Sequence, residues 1–124
     1  MIITNNPCVR DKYENSYRVQ YIEGTYRDVL IAVRDNVHIG HALYTHPLMG
    51  SLKPNETPYR SVIISDEVRS DPGAESILVI EEAIRVYDHF AGMMRPDRGE
   101  HASERIKRDF RNIDLSLLES ALDA

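Results

Sequence analysis

Cysteine is nearly absent. Cys8 is the only one among 124 residues, so no intramolecular disulfide can form, and no CxxC pair offers even half a zinc site. No apolar run approaches the ~20 residues of a membrane span. The opening Met1-Ile2-Ile3-Thr4-Asn5-Asn6 lacks the basic flank and long apolar stretch of a signal peptide. Basic residues are outnumbered, 15 Lys and Arg against 20 Asp and Glu for a net charge of −5, which argues against general nucleic-acid binding, since that depends on neutralising phosphates. Neither the nucleophile elbow GxSxG nor the dinucleotide fingerprint GxGxxG occurs. What remains is a chain with 42% hydrophobic and 28% charged residues, long enough for one domain over 1–124. Such a chain buries roughly two-thirds of its unfolded surface and needs no staple. The expectation is a soluble, acidic, cytoplasmic α/β protein.

Four short apolar segments read as strands: residues 1–4, 17–22, 42–45 and 61–65. The last contains Val62-Ile63-Ile64, a continuous run suited to a strand buried on both faces. Helical patterns lie between and after them. Residues 7–15 follow Asn6 as N-cap, with Pro7 at the first position, where its missing N–H costs nothing. Residues 25–39 open on Thr25, with Asp28 as the capping-box partner, and close on Gly40. The spacing predicts a long helix over 72–94, capped by Asp71, whose two adjacent apolar rows demand packing on a wide face. Two shorter helices are expected at 100–112 and 114–122. This order predicts an α/β fold with a mostly parallel sheet of about four strands, order 2-1-3-4, flanked by helices, and a helical C-terminal third.

In a parallel sheet, ligands bind beyond the carboxyl ends of the strands. Asn5, Asn6, Glu23, Thr25, His46 and Ser65 would converge at that edge. Strand ends also carry Asn, Thr and Asp simply because these residues form turns and caps. The connection from His46 to Arg60 holds three of the six prolines, and a structureless loop of that length inside a domain is commonly functional. Its Gly50-Ser51 and Lys53 offer backbone N–H groups and an ammonium to an anion, although GxxxxGK[ST] is not matched. His38, His41 and His46 are spaced by three and five, but Gly40 ends the helix between His38 and His41, and HxxH without a third positioned ligand is a weak signal, so no metal is assigned. Cys8 has no histidine near it in sequence, and a lone cysteine usually packs as a small hydrophobe. The candidate ligand-binding set is therefore Asn5, Asn6, Thr25, His46, Ser51, Lys53, Asn55 and Ser65, locally basic around His46, Lys53 and Arg60. No catalytic residue and no cofactor is assigned.

The opening Met1-Ile2-Ile3-Thr4-Asn5-Asn6-Pro7 and the run Val29-Leu30-Ile31-Ala32-Val33-Arg34-Asp35 resemble the GrdX family. So does Gly40-His41 with Thr45-His46-Pro47-Leu48-Met49-Gly50-Ser51-Leu52-Lys53-Pro54-Asn55-Glu56-Thr57-Pro58-Tyr59. The resemblance covers residues 1–65 well and the C-terminal half only in general character. It implies a small protein encoded with the glycine, sarcosine and betaine reductase systems of amino-acid-fermenting anaerobes. It carries over no catalytic residues. It does place the matching segments 4–7 and 45–59 at the strand-end edge chosen from topology.

The expected function is an accessory or regulatory protein of the glycine reductase system that does not catalyse a reaction. It would act through contacts with reductase components or by binding a small anionic ligand. The alternative is a small enzyme or binding protein for an anionic metabolite: Lys53 neutralises the anion, His46 serves as general acid/base, and Asn5, Asn6 and Ser51 orient the substrate. A third reading is a homodimer formed through the wide helical face. Nucleic acid and membrane are not expected partners.

Overall fold

The computed structural model describes residues 1–48, 57–69, 74–91 and 102–123. Its centre is β1 (Ile2–Thr4), whose three residues are all fully buried. On one side β1 pairs in parallel with β2 (Val19–Tyr21), placing Ile2 opposite Val19 and Thr4 opposite Tyr21. On the other it pairs antiparallel with β3 (Ser61–Ile63), placing Ile2 opposite Ile63 and Thr4 opposite Ser61.

Strand periodicity then divides the core. Ile2 and Ile63 point to one face, where they meet Val9 of α1 (Pro7–Tyr13) and Leu115, Leu118 and Leu122 of α4 (Glu104–Leu122). Ile3 and Val62 point to the other face. There they meet Val29, Leu30, Val33 and Val37 of α2 (Tyr26–Ile39) and Ile80, Ala83, Ile84 and Tyr87 of α3 (Ala74–Ala91). The sheet is thus sandwiched between two helix pairs. Arg27 with Asp88, and His38 with Glu81, tie α2 and α3 in antiparallel fashion. The wide face of α3 is used inside the chain, with Val79, Val86 and Phe90 half-buried on its flank. No helix among the described residues is long and apolar enough to cross a membrane.

The local signals hold. Asn6 caps α1 by accepting from the Cys8 N–H, and Pro7 takes the first turn. Thr25 and Asp28 form a reciprocal capping box at α2. Gly40 ends α2 with φ 133°, a conformation that side-chain-bearing residues rarely adopt.

The expected sheet is corrected. It has three strands in the order β2-β1-β3 and is mixed, not a mostly parallel sheet of four. The segment 42–45 makes only an isolated bridge, Leu43 to Ile64, at the outer edge. This segment is also the reason for the mixed direction. After α2, the Ala42 carbonyl accepts from Ser65 N–H, while Tyr44 and Thr45 donate to the Ile63 carbonyl. The chain then reaches Pro47, beside the Tyr26 hydroxyl at the start of α2. The return journey along the sheet is therefore made by 42–47, so β3 starts at the carboxyl edge of β1 and runs back. The two predicted C-terminal helices are likewise one continuous helix, α4. Asp114, read as the start of a second helix, instead lies within α4 and is buried. The expected Asp71 cap and the ends of the predicted 72–94 helix lie outside the described residues.

Candidate functional site

The carboxyl edge of β1 is built from polar residues that are almost wholly buried. Asn5 ties the end of β1 to two other segments: its amide donates to the carbonyls of Gly24 (3.1 Å) and Pro58 (2.8 Å), and its carbonyl accepts from Arg60 N–H (2.9 Å). Asn6 caps α1 with its oxygen. Its amide donates across to α4, to the Arg111 carbonyl (2.9 Å) and Asp114 Oδ2 (3.0 Å). Ser61 Oγ donates to the same carboxylate oxygen at 2.7 Å. That bond uses the one proton of Ser61, so the 2.7 Å contact between Thr4 and Ser61 has Thr4 as donor. The proton order runs from Thr4 through Ser61 to Asp114.

Arg60 and Asp114 form an ion pair at 3.5 Å, with side chains only 5% and 3% exposed. Burying both charges is costly unless they are paired and hydrogen-bonded, and the edge supplies this through Asn6 and Ser61. Beside the pair, the Arg60 guanidinium lies 5.6 Å from the centre of the Tyr26 ring, which stacks on Tyr87. Burial pushes the Tyr26 phenol up to about 12, with the nearby Arg60 charge acting in the opposite sense. A cavity of about 10 Å³ is lined by Tyr26, Thr57, Tyr59, Arg60 and Asp114, with Phe110 and its α4 neighbours completing the wall.

On the outer side of Tyr59 lies a cleft of about 210 Å³ lined by Asn5, Gly24, Thr25, Pro58, Tyr59 and Lys107. Two predicted residues, Asn5 and Thr25, thus share one cleft, while Asn6 is turned inward to α4. Lys107 forms no ion pair with a carboxylate among the described residues. Arg111 is held by Glu104 and donates to the Tyr59 hydroxyl at 2.9 Å, leaving that hydroxyl's hydrogen available to another acceptor.

Ser65 and His46 fall elsewhere. Because β3 is antiparallel, Ser65 lies at the Met1 end of the sheet, where its hydroxyl accepts from Ala42 N–H and donates to the Glu67 carbonyl. His46 is exposed and borders a separate cleft of about 300 Å³ with Tyr44, Thr45, Glu75 and Ser76. Its Nδ1 accepts from Leu48 N–H at 3.0 Å, which puts the proton of the neutral ring on Nε2. Ser51, Lys53 and Asn55 lie outside the described residues. Of the basic trio expected at the edge, Arg60 is buried against Asp114, not presented to solvent. The two histidines weighed with His46 as metal ligands are engaged in the framework: His38 with Glu81 and His41 with the Ser65 carbonyl.

Sequence reasoning missed Asp114, Ser61 and Lys107. The available signal was the four-residue spacing of Phe110, Asp114 and Leu118, which puts a carboxylate in the middle of an apolar stripe.

Compared with known proteins, residues 1–123 match the family model described as GrdX-like protein. No curated protein and no solved structure matches the chain.

Proposed function

The chain belongs to the GrdX-like protein family, and from that premise we propose an accessory or regulatory protein of the glycine reductase system that acts by contact with reductase components. The resemblance ties the family to these systems. The observation that carries a contact role over a catalytic one is how the edge spends its polar groups. Asn5, Asn6, Thr4, Ser61 and Thr25 direct their hydrogen bonds at backbone, caps and Asp114, which fixes the framework. Such an edge holds a surface rigid. The experiment is affinity capture from glycine-grown cells with the full chain as bait. Recovery of glycine reductase components is the expected result, and recovery of none overturns the proposal.

A second reading is favoured by the Lys107 cleft. An ammonium with no carboxylate in ion-pair contact among the described residues, in a cleft shared with Thr25 and Tyr59, suits a small anionic metabolite. Titration with inorganic phosphate and with acetyl phosphate, followed by amide chemical shifts, tests it. Shifts at Gly24, Thr25 and Tyr59 that vanish in Lys107→Ala are expected. Shifts that are absent, or indifferent to that substitution, overturn it.

A further inference from the structure

Between the segment 42–47 and the first turns of α3 lies the cleft of about 300 Å³ that His46 borders, and its polar walls share one pattern. Ser76 Oγ accepts from Leu43 N–H at 3.2 Å, Thr45 Oγ1 from Ile63 N–H at 3.0 Å, and His46 Nδ1 from Leu48 N–H at 3.0 Å. The Tyr44 hydroxyl faces the Arg69 guanidinium at 3.5 Å. In each case a framework donor takes up the side chain's acceptor. The hydrogens on the three hydroxyls and on Nε2 of the neutral imidazole then have no acceptor among the described residues. The one carboxylate of the lining, Glu75, forms no hydrogen bond or ion pair among the described residues, and Arg69 pairs with no carboxylate there.

We propose that this cleft binds a small zwitterion carrying a carboxylate and an ammonium a few bonds apart, the chemistry of a free amino acid. Ser76, Thr45, His46 and Tyr44 supply hydrogens to the ligand carboxylate, with the Arg69 charge standing at the Tyr44 wall, and Glu75 takes the ammonium. The lining disfavours simpler occupants. An anion alone meets the Glu75 charge with nothing to offset it, and a cation alone leaves four donors unmatched. A metal ion finds too few ligands, because the Nδ1 of His46 is spent on Leu48 and the described residues hold no group of three metal-binding side chains. Leu43 and Val79 add apolar wall for a short aliphatic side chain. This cleft lies at the outer edge of the sheet, apart from the Lys107 cleft, and the inference does not depend on the contact role proposed above.

The test is titration of the isotope-labelled full chain with each of the protein amino acids in turn, and separately with acetate and with methylammonium, followed by amide chemical shifts. At least one amino acid is expected to shift Tyr44, Thr45 and Ser76, and to bind more tightly than acetate or methylammonium. Glu75→Gln, at an exposed residue without a partner to lose, is expected to weaken that amino acid about tenfold and to leave acetate no weaker. The proposal is overturned if no amino acid shifts these amides, or if shifts are confined to Gly24, Thr25 and Tyr59 of the other cleft. Acetate binding as tightly as the amino acid, or an affinity unchanged in Glu75→Gln, overturns it as well.

Discussion

Asn6 does three things with one side chain: it caps α1, supports the Arg111 carbonyl, and donates to Asp114. Asn6→Ala removes a cap worth about 1 kcal/mol. It also takes a donor from a buried charged acceptor, which costs about 1–3 kcal/mol more. The expected loss is about 2–4 kcal/mol, read from the urea midpoint. Tyr26 gives a prediction of a different kind. Its folded pKa, about 12, lies above the ordinary value of 10.0, so its contribution to stability is intact below pH 10 and declines as pH rises from 10 towards 12. Ultraviolet phenolate titration should show a late step near pH 12 that Tyr26→Phe removes. A titration curve unchanged in its late region by that substitution would contradict the burial argument. Asn6 was legible as a cap because Pro7 follows it; its bond to a residue 108 positions away was not.

At the scale of elements, α2 is the best specified. Thr25, Asp28 and Gly40 bracket it in sequence, and the structure has the same bounds because capping depends only on neighbours within a turn. Gly40→Ala is expected to destabilise by about 1–3 kcal/mol, since φ 133° strains any side-chain-bearing residue. Its new Cβ would also meet Val68 Cγ1 at 2.6 Å. Thermal unfolding measures the loss, and a midpoint equal to the parent's would show that the chain can relax around the substitution. The C-terminal helix α4 shows the opposite case. An aspartate amid apolar residues reads as a helix start, because exposed Asp caps helices well. In the fold it is a buried anchor, and α4 runs through it without interruption. Leu118, fully packed against Ile2 and Val9, tests that seat. Leu118→Ala should cost about 2–5 kcal/mol in chemical denaturation, the range for a truncated core leucine.

Apart from the buried Arg60–Asp114 pair, charge among the described residues is arranged as scattered surface pairs. Asp66, Glu82, Asp88 and Glu104 are each held below the ordinary carboxylate range, by hydrogen bonds from the Met1 ammonium, Arg85, Arg27 and Arg111 respectively. Depressed carboxylates stabilise the fold above their ordinary pKa values, 3.8 for Asp and 4.5 for Glu, and that support is lost as pH falls through the folded values. The thermal midpoint should therefore drop on acidification below about pH 4.5, and less steeply in high salt, because exposed pairs are screened. A midpoint flat from pH 7 to pH 3 would refute the linkage. The sequence by itself determined the caps of α1 and α2, the apolar β1 and β3, the identity of the family and the polar character of the strand edge. All of these rest on residues a few positions apart or on a run of recognisable sequence. Only the tertiary structure decided the direction of β3, the separation of Ser65 from Asn5, and the burial of Arg60 against Asp114. Strand direction follows from the path of 42–47 across the sheet, and a buried ion pair follows from which helix covers that edge. Both depend on contacts between residues far apart in the chain, which no local pattern records.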